Sequence, residues 1–308
     1  MRVLFWGTPE FATTALRALL GEGHDVVGVV TQPDRPQGRS RSQLVPSPVK
    51  RIAIDEGLPA FQPEKPRGAE FVHALRQLAP DISVVVAYGQ LLPLEVIDLP
   101  ARGTINIHAS LLPLLRGASP IEAAILAGHA ETGITIIRMV LALDAGPMIL
   151  RARTPIGPDE TGGDLRARLS EMGAEALIEA LTLIATDQAT EETQDDARAT
   201  RAPLITRDAA RIDWTHSALT ISRLIRAYDP KPGAFTARDG LEVKLFGGRL
   251  GDGAGRPGEV LAIDGDDMLI ACATGAVRIG SVLPAGRKRL TPREWAAGRG
   301  ISVGDVLG

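Results

Sequence analysis

Residues 2–30, RVLFWGTPEFATTALRALLGEGHDVVGVV, decide the fold. Arg2–Trp6 is a near-continuous apolar run, Gly7-Thr8-Pro9 breaks it, EFATTALRALLGEG reads as a helix, and Asp25–Val30 returns to a β-branched run. A strand, a helical crossover and a second strand form a right-handed unit with the strands parallel, and unbroken apolar strands are those covered on both faces. Thr8 is expected to cap the helix, with Pro9 at its first position. The turn holds one Gly where a dinucleotide-binding turn needs several, which argues against a nicotinamide-dependent dehydrogenase.

The alternation continues through PSPVKRIAIDEG and EFVHALRQLAP as helical stretches and DISVVVAYG, GTINIHAS and ETGITIIRMV as strands. ETGITIIRMVLALDAGPMIL reads as a hairpin at one edge of the sheet. The fold class is α/β with a mostly parallel sheet over residues 1–185, and ligands of such sheets sit outside the carboxyl ends of the strands. Residues 186–203, TDQATEETQDDARATRAP, are polar and aperiodic and read as a linker. Beyond them, residues 204–308 hold one amphipathic helix, ALTISRLIRAY, and several short strand-like pieces punctuated by turns, the pattern of a small β-barrel.

Composition bounds the function. A chain of 308 residues suits two domains, and the lone Cys272, in DMLIACATG, is a core residue in a chain with no disulfide framework. The apolar start is too short before Gly7 and Pro9 for a signal peptide and no run reaches the ~18 apolar residues of a membrane span, so a cytoplasmic protein is expected. The five His residues show no metal-ligand spacing, and no metal is expected. The net charge of −3 is uneven: residues 204–308 carry 15 Lys and Arg against 12 Asp and Glu, a mild basic bias consistent with a polyanionic partner.

The chemistry gathers in TINIHASLLPLLRG, residues 104–117. Strand alternation puts Asn106 and His108 on one face at a strand end. A turn-capping Asn and a satisfied, half-buried His would read the same way, so the pair needs a third member. Asp144 in LALDAG supplies one, although a turn Asp bonding its own backbone is an equal reading of that residue alone. A carboxylate orients an imidazole and stabilises its charged form, and an amide can donate to an oxygen that becomes negative during acyl transfer. Ser110 lacks a nucleophile elbow, so the set suits direct transfer of an acyl group to an amine. Two basic clusters stand apart from it, Arg35, Arg39 and Arg41 in one loop and Arg287, Lys288 and Arg289 in PAGRKRL. Each is either a solvated surface or a phosphate-reaching arm.

GTPEFA, TQPDRPQGR, PSPVK, VVVAYGQLLP, NIHASLLPLLRGASPI, ETGITI, LDAGPM, RIDW and RAYDPKPGAF together closely resemble the methionyl-tRNA formyltransferase family, within the formyltetrahydrofolate-using superfamily. The resemblance implies a Rossmann-like formyltransferase domain followed by an OB-like tRNA-binding domain, 10-formyltetrahydrofolate as formyl donor, and initiator methionyl-tRNA as acceptor and partner of a monomer. It implies Asn106, His108 and Asp144 as catalytic, with Asn106, alone or with protonated His108, stabilising the oxyanion. It places folate against Ser110, Leu111, Leu112 and Pro113 and near Tyr88, Gly89 and Leu91, and tRNA on the two basic clusters. Leu114 and Leu115 depart from the basic or aromatic pair usual in the family, and GRSRSQL departs from its Gly-Arg-Gly-Lys-Lys type run. A formyltransferase acting on phosphoribosylglycinamide or an amino sugar nucleotide is the alternative within the superfamily. A non-catalytic RNA-binding module leaves the Asn, His and Asp without a purpose.

Overall fold

A computed structural model of the chain describes residues 1–37 and 43–308. Contacts divide it into two compact units, one of residues 1–117, 132–154 and 167–201, the other of residues 118–131, 155–166 and 202–308.

The first unit is built on seven strands: β1 (Arg2–Gly7), β2 (Asp25–Val30), β3 (Ala60–Phe61), β4 (Ile82–Val86), β5 (Thr104–His108), β6 (Glu131–Arg138) and β7 (Met148–Pro155), in the order β7-β6-β5-β4-β1-β2-β3. The pairings from β3 through β5 are parallel and β6 runs antiparallel to β5. The hairpin of β6 and β7 forms one edge, as its sequence indicates. Helices α1 (Thr13–Gly21), α2 (Pro48–Asp55) and α3 (Ala69–Gln77) follow β1, β2 and β3. Ser47 begins α2 by accepting the Lys50 N–H at 3.0 Å, with Pro48 at the first helical position, where its missing N–H loses nothing. Thr8 does not cap a helix. Its Oγ1 donates to the Tyr88 carbonyl at 3.0 Å and so ties the end of β1 to the end of β4, while a short 3-10 turn starts after Pro9 without a side-chain cap.

The strand ends rest on a packed apolar floor. Trp6 is fully buried, meets Tyr88 and Phe71 edge-on at 5.2 and 6.1 Å, and shares a cluster with Val72, Leu75, Leu92, Val96 and Ile97. Each such side chain contributes ~1.5–3 kcal/mol on burial, enough collectively to hold the turns above it in one place.

The second unit carries two antiparallel sheets. β8 (Ala234–Arg238), β9 (Leu241–Phe246) and β14 (Ser281–Pro284) form one; β10 (Arg249–Gly251), β11 (Val260–Asp264), β12 (Asp267–Ala271) and β13 (Ala276–Ile279) form the other, in the order β10-β13-β12-β11. The chain passes from the first sheet to the second through Gly247-Gly248 and back through Gly280, so two bent strands serve both sheets, as in small OB-type barrels. Gly247 takes φ +65°, and a Cβ on Gly248 would lie 2.8 Å from Ile225 of the amphipathic helix Ala218–Ala227, so the corner requires both glycines.

Candidate active site

β5 delivers Asn106 and His108 to one end of the sheet, between Val85 of β4 and Ile137 and Thr135 of β6. His108 is 5% exposed and both ring nitrogens are engaged. Its Nε2 lies 3.0 Å from the Leu115 carbonyl, a contact that assigns the ring proton to Nε2. Nδ1 faces Asp144 Oδ2 at 3.6 Å, within ion-pair range and long for a hydrogen bond. Burial pushes the His108 pKa below its ordinary 6.5, against the opposing pull of the Asp144 charge and the Leu115 carbonyl. Burial thus favours the neutral ring, and Nδ1 is the nitrogen turned towards the carboxylate. In its neutral form a ring of this tautomer accepts a proton at Nδ1.

Asp144 is held in the left-handed region at φ +52°, where its Oδ2 accepts the Gly117 N–H at 2.9 Å. Asn106 is partly exposed, and no described residue hydrogen-bonds its side-chain amide. It is not a turn cap: it is the one member of the trio with uncommitted donors.

The loop after β5 is fixed from within. Ser110 Oγ donates to the Leu114 carbonyl at 2.6 Å, and Thr135 Oγ1 donates to the Ser110 carbonyl at 2.7 Å while accepting the Leu112 N–H at 3.1 Å. Leu112, Pro113 and Leu115 are buried, leaving Leu111 and Leu114 part-exposed beside the site. The Ser110 hydroxyl is thus committed as a donor to the loop's own backbone. Arg116 is 6% exposed and bonds Gln194 and Asp196.

Tyr88, expected near the folate, turns its side chain into the core. Ala87 at φ +47° and Gly89 at φ +92° turn the ring back into the core, where burial pushes the hydroxyl pKa up to about 12 and leaves the oxygen without a partner among the described residues. Only its carbonyl faces the strand ends, bonded by Thr8 and by Gln32 Nε2 at 3.3 Å. The exposed apolar side chains lie further on: Leu91 is 72% exposed, and Val140, Leu141 and Leu143 precede Asp144 with 40%, 63% and 46%. Met139, just before them, packs on the cluster that includes Leu92 and Val96. A flat apolar group could lie on these side chains.

The basic clusters differ in what the structure does with them. Arg35 is exposed in a short ribbon pairing Arg35–Gln37 with Gln43–Val45, and Arg39 and Arg41 lie outside the described residues. Arg287 and Lys288 are exposed. Arg289 is engaged: Nε donates to Ser281 Oγ at 2.7 Å, the guanidinium lies 4.1 Å over the Phe246 ring, and Asp229 is 3.8 Å away.

Two polar networks escaped the sequence reading. At the end of β2, Thr31 and Ser47 hydroxyls bond at 2.7 Å, Lys50 bonds Asp34 at 2.6 Å, and Gln62 reaches Asp34 and the Gln32 carbonyl, which explains TQPD and PSPVK as one interlocked corner. The helix-start pattern of Ser47-Pro48 signals half of it. The second network centres on Gln194, which no local pattern marks.

The two units fall in the formyl transferase class: the family model described as formyl transferase matches residues 1–181 and that described as formyl transferase, C-terminal domain, matches residues 204–300. Methionyl-tRNA formyltransferase of Pseudomonas putida KT2440 is 46% identical with all of both chains covered, and that of Geobacter sulfurreducens is 43% identical over all of this chain and 97% of its own. The chain belongs to the methionyl-tRNA formyltransferase family. The fold recurs in HypX from Aquifex aeolicus in complex with tetrahydrofolic acid, at TM-score 0.68 and 22% identity, over 96% of this chain and 46% of that one.

Proposed function

We infer that the protein transfers the formyl group of 10-formyltetrahydrofolate to the α-amine of methionine on initiator methionyl-tRNA. The observation that carries the reading is the uncommitted Asn106 amide beside the His108–Asp144 pair, in a chain related along its whole length to methionyl-tRNA formyltransferases.

The methionyl amine, in its free-base form, attacks the formyl carbon. Asn106 Nδ2–H donates to the formyl oxygen as it gains charge, with no bond to a described residue to give up first. The new C–N bond leaves a proton on the attacking nitrogen. The Asp144 carboxylate takes that proton in concert with His108 Nδ1, and it is returned to the folate nitrogen as the bond from that nitrogen to the formyl carbon breaks. Asp144 keeps its direction through the Gly117 N–H, and His108 through the Leu115 carbonyl. Leu91, Leu111 and the loop Val140–Leu143 offer apolar contact to the folate, with the backbone at Tyr88-Gly89 at its edge. Of the two basic clusters, the exposed Arg35, Arg287 and Lys288 are offered to tRNA phosphate, the last two in the second unit. Among the described residues no helix is long and apolar enough to cross a membrane, and we place the reaction in the cytoplasm with the protein acting as a monomer.

The test is formyl transfer from 10-formyltetrahydrofolate to charged initiator tRNA, run beside uncharged tRNA and phosphoribosylglycinamide. Formylmethionyl-tRNA as the sole product, lost in Asn106→Ala, is expected. Turnover of the small amine without formylation of tRNA overturns the reading.

A further inference from the structure

We propose that residues 192–200 are a strap of the catalytic apparatus, in which Gln194 is a positioning residue for Asp144 and Thr200 for the loop that holds His108. The inference rests on the function proposed above.

The strap begins where Glu192 and Met148 exchange backbone hydrogen bonds at 2.8 and 2.9 Å. Two residues on, Gln194 is 7% exposed and its side-chain amide is fully used. Nε2 donates to the carbonyls of Asp144 at 2.8 Å and Gly146 at 2.7 Å, and Oε1 accepts from Arg116 Nε at 3.0 Å and Nη2 at 2.8 Å. Only this orientation of the amide satisfies every partner. Gln194 therefore fixes the backbone on both sides of Ala145, and with it the left-handed conformation that aims the Asp144 carboxylate. The Arg116 charge is met by Asp196 at 2.7 Å, so the strap supplies both the amide and the carboxylate that this buried cation needs.

Further along, Thr200 Oγ1 accepts the Leu115 N–H at 2.8 Å, and the Thr200 carbonyl accepts the Arg116 N–H at 2.9 Å. Leu115 is the residue whose carbonyl holds His108 Nε2. One segment thus grips both loops that orient the acid–base pair, one through each end. Neither near-isostere of glutamine serves at position 194. Glutamate keeps the Arg116 contact and has no donor for two carbonyls, and methionine keeps the length and satisfies none of the four groups.

The experiment is a double-mutant cycle of Gln194→Met and Asp144→Asn, with thermal melts to confirm folding. Alone, Gln194→Met should lower kcat by about 10- to 100-fold, as a displaced catalytic group does. KM for both substrates should change little. In the Asp144→Asn background the same change should add less than about 2-fold, because the residue acts through Asp144. An equal loss in both backgrounds, or an unchanged kcat in the single variant, overturns the proposal. Gln194→Glu, which retains the Arg116 contact, enters the same cycle if Gln194→Met does not fold. The His108 ring-proton titration followed by NMR needs no substrate: displacement of Asp144 in either variant should move its midpoint lower, and an unmoved midpoint overturns the strap. Failure of wild-type enzyme to formylate methionyl-tRNA overturns the functional reading alone, and the titration still decides the strap.

Discussion

The strand end at Asn106 and the basic run at Arg287–Arg289 carry equally conspicuous polar residues in the sequence, and the structure treats them in opposite ways. At the strand end, His108 and Asp144 are each bonded to backbone while no described residue bonds the Asn106 amide. In the basic run, Arg289 is bonded to Ser281 and stacked on Phe246, whereas its neighbours Arg287 and Lys288 are left to solvent. A polar group surrounded by committed partners and itself uncommitted is prepared for a ligand. One with a stacking partner of its own is holding the fold.

The contrast is broken most sharply by Asn106→Ala. Loss of an oxyanion donor should lower turnover by roughly 10²–10³ with little change in melting temperature, measured by single-turnover formylation. Near-normal turnover would return Asn106 to the ranks of ordinary turn residues.

A smaller effect concerns pH. Because burial depresses the folded-state pKa of His108 below 6.5, the unfolded chain takes up the proton first as pH falls. The stabilisation is complete above pH 6.5 and is lost on descent through the folded value, so the melting temperature should fall across that window in wild type and not in His108→Asn. A wild-type melting temperature that rises as pH drops below 6.5 would contradict a neutral ring.

Within the basic run the expected effects diverge. Arg287→Ala and Lys288→Ala should each weaken tRNA binding and reduce the slope of log affinity against log salt by about 1, with kcat unchanged. Arg289→Ala should instead lower stability by ~0.5–1 kcal/mol through its stacked ring, read by denaturant melts. If all three behaved alike, the distinction between committed and free cations would fail here. The smallest effect belongs to Tyr88→Phe. Removing a buried hydroxyl with no partner should leave stability within about 1 kcal/mol of wild type or slightly higher, and leave KM for the folate unchanged.

What could be read from sequence follows the range of the forces involved. The unit Arg2–Val30 and the hairpin at the sheet edge were legible because apolar continuity and turn residues act locally. The placing of Asn106 and His108 together at a strand end, with Asp144 beside His108, was legible because polar residues in an apolar strand and a lone carboxylate in the turn stand out locally. The side-chain direction of Tyr88 was not, since it depends on positive φ values at Ala87 and Gly89 and on the Trp6 ring waiting beneath. Gln194 was not, since one amide in an acidic, aperiodic run gains its burial only when Arg116 and the Asp144 loop close around it. Thr8 was misassigned for the same reason: a cap is a local motif, and the bond to the Tyr88 carbonyl spans 80 residues.

The strap also bears on how such enzymes are reshuffled in evolution. A gene fusion that inherits this sheet only up to the end of its last long helix, at Ala185, carries Asn106, His108 and Asp144 but leaves Arg116 buried with no acceptor and the Asp144 turn untethered. The smallest heritable module that keeps the acid–base pair aimed extends through Thr200. Lineages that exchange the second unit should therefore preserve the apparent spacer before it, because that spacer belongs to the chemistry upstream.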